Sequence, residues 1–282
     1  MKWKEDGEAA EALEKTRRNL IRERVKEFIS SRSIERLPVR LDRLRPDRNW
    51  ERIEAHRFTV IQGLGQRKAF SCWSPDRGKF ITFNRPGMRY EELRWCLARE
   101  VGKIYLGHLD ENSYRGMGRE RYQELEREAE FFAFNLLAPR YIMEQSLALT
   151  GEKIEFLAGI PAQAARRCSG RLAGNERGEN EEGEGEFFRR QFQDYLKPIR
   201  YCGDPWDVFE NFRACSPDYC GCYTYEDERK ICPECGKRLV LTSQGWLERL
   251  FRVDDKMDSR DILVLRDYGE GDLAGKELGG AG

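Results

Sequence analysis

The chain has 282 residues, with 50 Lys and Arg against 50 Asp and Glu, so its formal net charge is zero. This balance excludes a chain-wide polybasic nucleic-acid binder, and cancelling charges with 11% aromatic residues exclude a charge-expanded disordered chain. The longest apolar run, Phe131–Ala138, is broken by Asn135 and far too short to span a bilayer, and Met1–Glu8 lacks the apolar core of a signal peptide. A cytoplasmic protein of about two domains, with no membrane partner, is expected.

Residues 10–30 read as a helix with an apolar stripe of Leu13, Leu20, Ile21, Val25, Phe28 and Ile29. Pro38 and Pro46 punctuate the stretch after it. Two strand-like runs come next, Phe58–Ile61 and Lys79–Phe83, the second after a turn at Ser74-Pro75-Asp76. Gly63-Leu-Gly65 lacks the third glycine of a dinucleotide-binding loop and reads as a turn. Helices are predicted over Tyr90–Leu106, Glu120–Ala138 (stopped by Pro139) and Lys153–Cys168, the last interrupted near Gly159-Ile160-Pro161. Residues 171–186 read as an acidic flexible linker, because positions 174–186 hold six Glu and four Gly. Residues 187–265 form a second region, and 266–282, with six Gly, a flexible tail.

Five of the nine cysteines fall within residues 215–236, and clustered cysteines in a cytosolic chain read as metal ligands. Cys232-Pro-Glu-Cys235-Gly236 is a knuckle, two thiolates on a tight turn that glycine permits. Cys215, Cys220 and Cys222 offer the second pair. Four thiolates would close a tetrahedral, structural zinc site with no position open to substrate; which four of the five is left open. Cys96 and Cys168 fall in helices and read as small core residues.

The segment Arg94-Trp-Cys-Leu-Ala-Arg-Glu-Val-Gly-Lys-Ile-Tyr-Leu-Gly-His108 places Leu93, Leu97, Val101, Ile104 and His108 on one helical face. Arg99, Glu100 and Lys103 gather on the other, where by pattern alone they are an ordinary exposed charged face. A second amphipathic helix carries Glu126-Arg-Glu-Ala-Glu-Phe-Phe-Ala-Phe-Asn-Leu-Leu-Ala-Pro139.

These two segments resemble the ImmA/IrrE family of zinc metallo-endopeptidases, whose helices read R-W-T-x-x-H-E-x-G-H-x-x-L-G-H and E-A-N-x-F-A-x-x-L-L-x-P. The resemblance is close over Arg94–His108 and Glu128–Pro139 and loose over about residues 15–170. It implies a helix-rich, α+β zincin-like domain at 10–170, followed by the linker and a zinc-ribbon region, an appendage some family members carry. In the family two His of His-Glu-x-x-His bind zinc, the Glu between them activates water, and a Glu of the second helix is the third ligand. Carried over, the first His is Arg99, the base Glu100, the second His Lys103 and the third ligand Glu128. Both imidazoles are missing. An arginine has no lone pair to give, and a lysine ligates only when deprotonated, so a catalytic zinc is not expected. Arg99, Lys103 and Glu128 together carry the same charge as a zinc ion with one carboxylate and two neutral imidazoles. The expectation is therefore that the two cations replace the metal and pair with Glu128 and Glu100. His108 reads as a satisfied core histidine and His56 as surface or packing.

Family members cleave helix–turn–helix repressors, which implies a transcription-regulatory setting and a protein partner. The resulting expectation is a catalytically degenerate member that binds such a repressor without cutting it. Two alternatives stay open: an active peptidase with a non-standard metal site, and a DNA-binding regulator using residues 154–171. In that last segment Arg166, Arg167 and Arg171 could meet phosphates, although helical packing is the plainer reading.

Overall fold

The computed structural model describes residues 2–41, 44, 50–54, 67–109, 118–174, 181–202, 223–224, 230–232, 236 and 238–245. The chain divides into two compact units, Met1–Lys197 and Pro198–Gly282. Helices and small sheets are mixed, the α+β class expected from sequence. Among the described residues no helix is long and apolar enough to cross a membrane.

The first unit contains helices α1 (Lys2–Ser31), α2 (Tyr90–Tyr105), α3 (Arg119–Leu137), α4 (Arg140–Gln145), α5 (Gly151–Ala158), α6 (Ala162–Ala173) and α7 (Glu181–Gln191). Its sheet holds β1 (Trp50–Glu54), β2 (Ala69–Ser74) and β3 (Lys79–Asn84). β3 is central, parallel to β1 and antiparallel to β2. Sequence reasoning found β3 but missed β1 and β2. Their runs, Trp-Glu-Arg-Ile-Glu and Ala-Phe-Ser-Cys-Trp-Ser, are short and carry Glu, Arg or Ser at five of their eleven positions. What fixes them is tertiary: Trp50 Nε1 donates to Thr82 Oγ1 at 2.7 Å, Arg52 Nε to Asn84 Oδ1 at 2.8 Å, and Trp73 meets Phe80 edge-on. The expected strand Phe58–Ile61 lies outside the described residues, as does His56.

The core is built by α1, α2, α3 and α5. Ile21, Val25, Phe28 and Ile29 of α1 are buried at i, i+4, i+7 and i+8. Leu13 and Leu20, expected in the same stripe, are 62% and 55% exposed. They stand roughly 80–100° around the helix from Ile21, which puts them off the buried face. Phe28 meets Phe132 of α3 and Tyr105 of α2 edge-on, so one ring ties three helices together. Gly102 lets α2 and α3 approach closely, since a Cβ there would lie 3.0 Å from Phe132 Cβ and Cδ1. Arg94 is buried and fastens α2 to the chain on both sides. Its Nε donates to Val39 O at 3.0 Å, its Nη1 donates to Gly159 O, and its guanidinium stacks on Tyr90.

The helical reading of 153–168 holds as α5 and α6. The break is made by Gly159, left-handed at φ 58°, with Pro161 opening α6. The stretch read as linker is corrected. Residues 171–173 finish α6, and α7 begins at Glu181 within the first unit, which runs to Lys197. The acidic, Gly-rich composition hid an apolar set just beyond it: Phe188, Phe192 and Tyr195 are buried, and Gln191 donates to Ile34 O. Such a set anchors the helix however polar its first turns are.

The second unit shows a sheet of β4 (Pro198–Cys202), β5 (Tyr223–Thr224) and β6 (Leu239–Ser243), with β4 central and antiparallel to both. Ile231 and Arg238 bridge, and Gly236, at φ 72°, donates its N–H to Cys232 O at 3.0 Å. The tail 266–282 lies outside the described residues.

Candidate functional site

Helix α2 ends on Leu106-Gly107-His108. Gly107 is left-handed at φ 71°, and the His108 N–H donates to Lys103 O at 2.8 Å, closing the six-to-one ring of a Schellman cap. The cap turns His108 back against the helix pair, where it is buried.

Upstream on α2, Glu100 and Lys103 are 6% and 7% exposed, so these two charged side chains are interior, whereas that of Arg99 is 32% exposed. Lys103 Nζ lies 2.8 Å from Glu100 Oε1 and 2.6 Å from Glu126 Oε1. Arg99 Nη2 donates to the other Glu126 oxygen, and Tyr122, one turn earlier on α3, hydrogen-bonds the same carboxylate. Two cations and two carboxylates thus balance across the α2–α3 contact. Burial alone would lower the Lys103 pKa, but the Glu100 and Glu126 carboxylates outweigh it and hold the ammonium above its ordinary value. Burial likewise works to raise Glu126, and Lys103, Arg99 and Tyr122 reverse this, so its carboxyl stays below the usual range.

The expected pairing with Glu128 is corrected: Glu126 takes that role. Two residues apart on a helix is about 200°, so the two acids project to opposite sides. Glu126 belongs to the stripe of Ala129, Ala133 and Leu136, all fully buried. Glu128 instead shares a hydrogen bond with His108, Nε2 to Oε2 at 2.8 Å, and its Oε1 lies 3.0 Å from Arg17 Nε of α1, an ion contact without hydrogen-bond alignment. Burial depresses the His108 pKa, outweighing the opposite pull of Glu128. Arg17 also pairs with Glu124, one turn before Glu128. The signal for Glu126 was present in the sequence: it continues the small-residue stripe that Ala129 and Ala133 mark.

This donor set does not fit a zinc ion. The two positions that would offer imidazole nitrogens hold a guanidinium and an ammonium whose protons already face carboxylates. Among the described residues no group of three or more His, Cys, Asp or Glu is placed to hold a metal. Of the cluster cysteines, Cys215, Cys220, Cys222 and Cys235 lie outside the described residues, while Cys232 is buried against Leu239 in the second unit.

Of the arginines of the 154–171 segment, Arg167 pairs with Glu130 at 2.9 Å, and Arg171 lies over Phe131 and Phe134. Both are used in packing. Cys168 is buried as expected and Cys96 is half-buried.

No family model, curated protein or solved structure matches the chain.

Proposed function

We propose that the chain is an ImmA/IrrE-like regulatory protein whose zincin-like domain is catalytically degenerate and acts by binding a protein partner, a helix–turn–helix repressor, without cutting it. One observation carries the reading. Lys103 and Arg99, which the motif resemblance aligns with the family's two zinc-binding histidines, both reach the Glu126 carboxylate of the second helix. The cations do the cross-linking work of a metal ion while offering no Lewis acid and no activated water. Glu100, at the position of the general base, is held by Lys103.

The same reading assigns a structural zinc to four of Cys215, Cys220, Cys222, Cys232 and Cys235. In its support, Ile231 and Arg238 bridge, and the left-handed Gly236 donates its N–H to Cys232 O at 3.0 Å, which brings Cys232 and Gly236 together.

The test is incubation of the full chain with helix–turn–helix repressors of its own genome, read by size exclusion and intact-mass spectrometry. Co-elution with an uncut repressor is expected. Cleavage that disappears in Glu100→Ala would overturn the proposal and establish a peptidase.

A further inference from the structure

We draw no further inference here: the strongest candidate, the exposed apolar face that Leu13 and Leu20 make on α1, carries nothing because nothing in the structure shows what covers it.

Discussion

Lys103 of α2 reaches Glu126 of α3 at 2.6 Å, and this contact joins two helices whose buried residues beside it include Val101, Ala129 and Ala133. Removing one partner of a buried pair strands the other charge, which costs about 3–5 kcal/mol. Lys103→Met should therefore destabilise the chain by roughly that amount in urea unfolding. Adding Glu100→Gln and Glu126→Gln to it removes the stranded charges and should recover about 2 kcal/mol or more. A single variant as stable as the parent would show that the network contributes nothing.

Arg99→Ala should cost less, about 1 kcal/mol, because its side chain is 32% exposed and solvent screens the pair. Equal losses at Arg99 and Lys103 would contradict the burial difference between them.

The titration of the site has a definite sign. His108 is depressed below its ordinary value of about 6.5, by burial first, with Arg121 and Lys103 adding to it against Glu128. Its contribution is present above about pH 6.5 and lost as pH falls through the lower folded value. Glu126, also depressed, adds a loss at still lower pH, whereas raised Lys103 contributes below about 10.5 and is lost in more alkaline solution. His108→Gln should flatten the decline in urea midpoint just below pH 6.5. An unchanged slope there would remove His108 from the account.

Gly102→Ala sets two effects of opposite sign against each other. Helix propensity favours alanine by up to about 1 kcal/mol. A Cβ 3.0 Å from Phe132 forces α2 and α3 apart, and overpacking of this kind costs about 1–3 kcal/mol. The expected result is net destabilisation with a lowered Tm; a raised Tm would mean the helix contact yields easily.

The helices were legible in the sequence because their periodicity and stop signals are local: Pro139 ends α3, and Gly159 with Pro161 separates α5 from α6. β1 and β2 were not, since their pairing with β3 depends on partners distant in chain order, as Trp50 pairs with Phe80 and Ala69 with Asn84. α7 was concealed by composition, as its acidic residues precede the buried aromatic set that holds it. At the site, Arg99, Glu100 and Lys103 were identified as a group, but the acid that meets them was misassigned by two residues. A motif position names a residue, whereas helix rotation decides which way it points.

The most direct measurement is zinc stoichiometry of the full chain by native mass spectrometry, beside a Cys232→Ser, Cys235→Ser variant. About one zinc in the parent and none in the variant is expected if, as proposed, four cysteine thiolates hold the metal while the α2–α3 network holds cations of its own. Zinc that persists in the cysteine variant and is lost in Glu128→Ala would place a metal between α2 and α3 and contradict this reading.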